Sequence, residues 1–234
     1  METIPGIIVT QHAGGGNANQ YFLRGFNLDH GTDFATDFDG VPINLPTHAH
    51  GEGYTDLNFL IPELIQKLDY AKGPYYAQYG DFASAGAADI QYFDRLPQNI
   101  ALSTIGQYGY YRGLLAISHT IGENDLYGYN GQDRVLPAIN PGTFLGAIEA
   151  FHNDGPWDPP ENFRKLNFVL RYSQGSTTDG FSLMPTDIRA HGPVNSRSLN
   201  APFANMWSAI SAIWIPLTEV TASAICSPRN GMVN

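Results

Sequence analysis

The sequence predicts an α+β fold: a small mixed unit ending near Arg95, followed by strands of a more regular, two-faced kind. Three observations carry that expectation. A load of Gly 25, Pro 16, Tyr 13 and Phe 13 favours short strands and turns over long helices. Short apolar runs bounded by Gly, Asn and Asp recur through the first 95 residues. Further on, KLNFVLRY (165–172) alternates cleanly, with Leu166, Phe168, Leu170 and Tyr172 on one face and Lys165, Asn167, Val169 and Arg171 on the other.

In chain order, IIVTQ (7–11) reads as a strand and HAGGGNAN (12–19) as a glycine loop without the Lys-Ser/Thr helix of a phosphate loop. QYFLRGF (20–26) reads as a strand, NLDHGTD (27–33) as a turn, and FATDFDGVPIN (34–44) as a strand or hairpin. Arg24-Gly25 and Asp39-Gly40-Val41-Pro42 interrupt these runs. The glycines suit a turn or close backbone approach, and Pro42 suits an edge. LPTHAHGEGYTD (45–56) is a polar loop, Pro62 suits the start of a short helical turn, and IQKLDYA reads as extended. PYYAQYGDFASAGAADI (74–90) is small, aromatic and glycine-rich. Beyond 98, Leu102 to Tyr110 and Phe144 to Phe151 are strand candidates, and HNDGPWDPPEN (152–162) is a loop between strands. No internal repeat stands out.

The net charge of −10 runs against nucleic-acid binding, which needs basic stripes. The single Cys226 forbids an intrachain disulfide. ETIPGIIVTQ after Met1 lacks the basic and apolar regions of a signal peptide, and no run of about 18 apolar residues reads as a membrane helix. Barrel strands alternate and escape that test.

LRGF (23–26), DGVP (39–42) and KGPYYAQYGDFASAGAADI (72–90), in this order, resemble the plug domain of TonB-dependent outer-membrane receptors. ETIPGIIV resembles the plug's early P-G-x-x-V strand, and AGAADI departs from the Gly-Gly-x-(Ile/Val)-Asn ending of many members. FHNDGPW and FRKLNFVLRYSQG resemble the first barrel strands. The resemblance implies a mixed-sheet plug over 1–97 and the first antiparallel strands of a transmembrane β-barrel over 98–183. It further implies an outer-membrane protein, not an enzyme, that binds a scarce ligand. An iron-siderophore is the expected cargo, the TonB complex and outer-membrane lipid are the expected partners, and no cofactor is implied. No TonB box is visible, and 22 strands of about 10 residues need more chain than the sequence holds after residue 98. A piece of a receptor, not transport-competent alone, is therefore expected.

Residues 184–234 hold 2 of the 22 acidic and 3 of the 12 basic side chains, and two of the three Trp. Their periodicity is poor. The same codons read in a shifted frame permit segments resembling the family's next barrel strands. An irregular tail is therefore expected, arising from a frameshift near Leu183–Met184 or, as the alternative, from a divergent tail; a frameshifted tail would expose Trp207, Ile210, Ile213, Trp214 and Ile215.

The resemblance puts THAHGEGYTD at the plug's outer face, which makes His48, His50, Tyr54 and Asp56 candidate ligand contacts. His48 and His50 with Glu52 or Asp56 could instead hold a metal ion, and a plain polar loop is the preferred alternative to that. Structural roles in the plug fall to Arg24, Gly25, Asp39, Gly40, Pro42, Lys72, Gly73, Pro74, Tyr79 and Gly80. Arg24, buried in the plug, is expected to pair with Asp39 or a wall carboxylate, since a buried guanidinium needs a partner. Such polar contacts would let a plug move, where an apolar interface would hold it. Asp29, Asp33, Asp37 and Asp39 are read as turn-capping and solubilising rather than catalytic. Two competing functions are a stand-alone soluble ligand-binding module and a metal-dependent enzyme using His48 and His50.

Overall fold

A computed structural model describes residues 1–11, 15–121, 142–156, 158–175 and 180–191. Strands β1 (Ile7–Thr10), β2 (Gln20–Leu23) and β3 (Phe26–Asn27) form an antiparallel sheet. Strands β4 (Phe34–Phe38), β5 (Val41–Pro42), β6 (Ile65–Lys72) and β7 (Gly86–Tyr92) form a second sheet in the order β5-β4-β7-β6. Its β4 and β7 run parallel, and its other pairs antiparallel. Short 3-10 turns occupy Asp29–Gly31, Pro62–Leu64 and Ala77–Tyr79.

The two interruptions that the sequence raised are hairpin turns. Arg24 and Gly25 have φ of 50° and 89°, and Asp39 and Gly40 have 49° and 78°. Two successive positive φ values are the signature of a type I′ turn, whose twist matches that of the flanking strands. QYFLRGF is therefore two strands, not one. Arg24 sits exposed in its turn rather than buried, and Asp39 pairs with Arg171 instead. Pro42 lies on the edge strand β5, opposite Asp37, where a missing N–H costs no central ladder bond.

The AGAADI departure still forms a strand, and its small side chains explain why. Ala85, Ala87 and Ala88 are buried, and a Cβ on Gly86 would collide with the carbonyl oxygen of Ala71 on β6. Close approach on both sides of β7 lets the plug pack Phe34, Leu23, Leu28 and Tyr21 in one cluster. Of the KGPYYAQYGD residues, Lys72 ends β6 and lies over the Tyr70 ring, and Gly73 donates its N–H to Ala85. Pro74 is exposed, and Gly80 closes the 3-10 turn that contains Tyr79.

Strands β8 (Ile100–Ile105), β9 (Tyr111–Ile121), β10 (Gly142–Asn153), β11 (Phe163–Gly175), β12 (Gly180–Leu183) and β13 (Thr186–His191) form one antiparallel sheet. β9, absent from the sequence expectation, falls beside the β8 candidate, which ends in a turn before Tyr110. β12 and β13 pair with successive halves of β11, at Tyr172–Gly175 and Arg164–Val169. Residues 186–191 thus hold ladder register, and the irregular tail expected from 184 does not begin there. The remainder of that tail, with its proposed shifted frame and exposed Trp and Ile residues, lies outside the described residues.

The long sheet has an inverted face pattern. Leu115, Ile148 and Phe168 form a cross-strand row and are about half exposed, as are Ile117 and Leu170 in the next row. Strands of 11–13 residues are long enough to cross the ~25 Å apolar band of an outer membrane. The opposite face covers the plug. Among the described residues the sheet is an open arc, with β8 at one edge and β12–β13 at the other.

Candidate functional site

The plug-facing side of the sheet is built in rows. Arg112 and Lys165 stand in one row with Phe151 between them. Leu114, Glu149 and Asn167 follow, then Ala116, Ala147 and Val169, then Ser118, Leu145 and Arg171. The middle is apolar and the two ends are polar. Leu114, Ala116, Leu145, Ala147 and Val169 share one core with Phe38, Leu60, Ile61, Leu64, Ile90 and Tyr92 of the plug. The contact expected to be polar is therefore mixed: an apolar seam between two charged clusters.

The first cluster centres on Glu149, 1% exposed. It accepts from Arg112 Nε at 2.7 Å, Lys165 Nζ at 3.0 Å and Asn167 Nδ2 at 2.8 Å. Arg112 reaches on to the plug, where its two terminal nitrogens meet the carboxylate of Glu63 at 2.5 and 2.7 Å. This bidentate pairing holds the Glu63 carboxyl below its ordinary range. Lys165 also donates to the Asn58 carbonyl. A carboxylate as buried as Glu149 persists because three donors replace its water.

In the second cluster, Arg171 joins Asp39 at 2.7 Å and Asp94 at 2.8 Å. The cation that the sequence assigned to Arg24 is thus supplied by the wall. Burial pushes the Asp39 carboxyl up, outweighing the attraction of Arg171. The two clusters share a geometry, yet their plug carboxylates shift in opposite directions.

At the end of the plug nearest Lys165, three loops meet. Gly15 donates its N–H to Glu161, Ala18 donates to the Tyr54 hydroxyl oxygen, and Asn58 donates to the Asn17 carbonyl. Asn44 fastens the loops. Buried at the end of the DGVPIN run, it donates to the carbonyls of Gly31, Phe34 and Gly53 and accepts from the Thr36 N–H.

Of the four predicted ligand residues, this end gathers His48, His50 and Tyr54 and adds His30. His48 stacks on Tyr54 at 4.1 Å, and its Nδ1 accepts the His50 N–H at 3.2 Å. His30 and His50 meet edge to face at 4.6 Å. His48 and His50 lie in irregular loop rather than in a strand. Asp56 turns away: it accepts from Asn58 N–H at 2.8 Å, and burial raises its carboxyl above the usual range. Burial likewise raises the Tyr54 hydroxyl.

The sequence reading missed His30, Asn44, Arg112 and Glu149. One signal was available: Glu149 is a lone charge in the apolar run FLGAIEAF. The others sit in turns or on strands whose partners are distant in sequence.

Residues 1–87 match the family model of the TonB-dependent Receptor Plug Domain. Three solved structures share the fold. The pyoverdine outer membrane receptor FpvA from Pseudomonas aeruginosa PAO1, bound to pyoverdine, has 16% identity and a TM-score of 0.51, over 80% of this chain and 24% of the receptor. A mutant of the ferric enterobactin receptor PfeA from Pseudomonas aeruginosa, in complex with enterobactin, has 16% identity and a TM-score of 0.53, over 81% and 30%. The ferric yersiniabactin uptake receptor FyuA from Yersinia pestis has 16% identity and a TM-score of 0.52, over 81% and 28%. At these identities the likeness is one of fold, and this chain spans less than a third of each receptor. Residues 1–87 thus match the plug domain of TonB-dependent receptors, and the described strands after it share the fold of the first wall strands of such receptors.

Proposed function

We propose that this chain supplies the plug and the first wall strands of a receptor that captures a scarce small ligand at the loop end of the plug and imports it. An iron-siderophore is the cargo best supported, because the receptors similar in fold include ones bound to pyoverdine and enterobactin. The observation that carries the reading is the convergence of His30, His48, His50 and Tyr54 where three plug loops meet. Aromatic and imidazole edges at an open surface provide stacking faces and hydrogen-bond groups for a polar, ring-bearing ligand.

Gating rests on the mixed seam. The plug is held by the Glu63–Arg112 and Asp39–Arg171 pairs beside an apolar core, and polar pairs can be exchanged for water as a plug shifts. Energy for that shift would come from the TonB complex. An open arc of strands leaves unpaired edges that lipid cannot satisfy, so transport requires further strands to close the wall. The apolar outward face, with Leu115, Ile117 and Phe168 exposed, disfavours the soluble-module reading.

The test is ferric-siderophore binding and uptake by a complete receptor carrying this plug. His48→Ala with Tyr54→Ala is expected to weaken binding at least about tenfold, since stacking contacts are worth about 1–3 kcal/mol. Unchanged affinity for every siderophore that the receptor imports would remove the loop end from ligand capture.

A further inference from the structure

We propose that Asp29, His30 and His50 form a binding site for one first-row divalent cation of the Zn2+ or Cu2+ class, open on its outer side to a further ligand. The three donor atoms lie within 4.8 Å of one another, and His30 Nε2 stands 3.9 Å from Asp29 Oδ1. A tetrahedral site with ~2.0–2.1 Å bonds separates its ligands by about 3.4 Å. The set therefore needs to contract by up to roughly 1.4 Å per contact, within reach of rotations at the two exposed side chains, Asp29 and His50.

His30 is the anchor. It is 3% exposed, and its Nδ1 lies 2.7 Å from the Ala18 carbonyl oxygen. A carbonyl only accepts, so Nδ1 donates to Ala18, which leaves Nε2 as the ring atom able to ligate. A backbone carbonyl behind a ligating imidazole sets tautomer and ring orientation in metal sites. Here Nε2 stands 3.9 Å from Asp29 Oδ1, close enough for one cation to be shared between them.

The backbone keeps these donors together. Asp29, His30 and Gly31 have successive φ values of 35°, 66° and 121°. The turn is held by Gly31 and Thr32 donating to the Leu28 carbonyl, Thr55 donating to the His30 carbonyl and Asn44 donating to the Gly31 carbonyl. Left-handed backbone at non-glycine residues is strained and persists only where such surroundings enforce it. His48 is a positioning residue: its Nδ1 holds the His50 N–H, and its ring rests on Tyr54. Two imidazoles and one carboxylate select zinc, copper, nickel or iron over calcium and magnesium. The exposed side leaves coordination positions for water or a chelating molecule. The site is independent of which cargo the receptor carries.

The experiment uses the full chain in detergent micelles, titrated with Zn2+ by calorimetry and with Co2+ by absorption. One equivalent of Zn2+ is expected, and Co2+ should give d–d bands of a nitrogen- and oxygen-ligated ion. Asp29→Asn and His50→Gln, both at exposed side chains, are each expected to weaken binding at least about tenfold, and together to abolish it. His30→Gln should do the same, with circular dichroism checking the fold because His30 also holds Ala18. His119→Gln, on wall strand β9, should bind as the parent does. Stoichiometric binding undiminished in the Asp29→Asn/His50→Gln pair would overturn the site, as would no binding by a natively folded parent. Siderophore uptake by a complete receptor carrying the same substitutions separates this outcome from failure of the receptor reading.

Discussion

The plug and the wall use apolar side chains in opposite ways. In the plug, Phe34 and Phe38 on β4 are each 1% exposed, and Ala35 and Thr36 between them are buried as well. In the wall, Leu115, Ile117, Ile148 and Phe168 face outward, while Glu149, Asn167 and Arg171 are buried. Strand β4 of the plug is covered on both faces by protein. A wall strand has protein on one face only, and the apolar residues take the other because the solvent there is lipid. Polar groups then collect on the inner face, where the plug supplies partners. Burial alone therefore does not identify the apolar side of such a sheet.

The largest expected effect breaks the plug half of this contrast. Phe38→Ala should cost about 3–5 kcal/mol in denaturant unfolding, because Phe38 packs edge to face on Phe59 and Tyr92 in the shared core. Phe168→Ala, which removes a ring of equal size from the wall, should leave that unfolding nearly unchanged and lower binding to lipid vesicles instead. Equal unfolding costs for the two would show that the outer face is packed rather than solvated by lipid.

Next comes the wall's inner charge. Glu149→Ala should destabilise the chain by roughly 3–5 kcal/mol, since it strips a carboxylate from Arg112 and Lys165 in a buried cluster. Glu149→Gln keeps an acceptor oxygen and should cost less. Protease cleavage between plug and wall, tracked over time, reports the difference.

Asn44→Ala should cost about 2–3 kcal/mol, since it removes the acceptor of the buried Thr36 N–H and a donor to the Gly31, Phe34 and Gly53 carbonyls, the last two of which keep a threonine hydroxyl. Hydrogen exchange should accelerate first at Thr36 and Thr55, while the core amides of β10 stay protected.

The smallest effect compares the two plug–wall ion pairs by pH. Glu63 is shifted down, so its pairing contributes stability above the ordinary glutamate range, lost as pH falls through its folded value. Asp39 is shifted up, so its contribution is present at low pH and is lost as pH rises through its folded value. Glu63→Gln should therefore cost about 1–2 kcal/mol at pH 7. Asp39→Asn should cost less, although its ion-pair distance is similar. Both variants should approach the parent in acid. A larger loss for Asp39→Asn at pH 7 would mean that pairing with Arg171, not burial, governs Asp39.

Much of the fold was legible without coordinates. Alternation in KLNFVLRY announced a two-faced strand, and Gly25 and Gly40 allowed a turn or a close approach, because side-chain period and the φ freedom of glycine are local properties. Of the loop-end residues, His48, His50 and Tyr54 could be proposed from one polar loop. His30 could not, since it comes from a different turn, held beside them in part by Thr55 N–H on its carbonyl and by Asn44 on the neighbouring Gly31 carbonyl. Arg24 was the instructive miss: a charged residue beside glycine in an apolar run reads as buried, whereas the I′ turn faces it to solvent.

The sequence by itself determined several of the strands, KLNFVLRY foremost, and the motifs that resemble a plug followed by wall strands. Those are set by residue spacing and by side-chain and backbone preference over a few neighbours. Only the tertiary structure decided the partners: Arg171 rather than Arg24 for Asp39, Glu63 for Arg112, and His30 for His50. Each pair joins residues 20 or more positions apart, and the energy of a charge or imidazole contact depends on distance in space. Strand register and loop packing fix that distance, and no short window of sequence contains it.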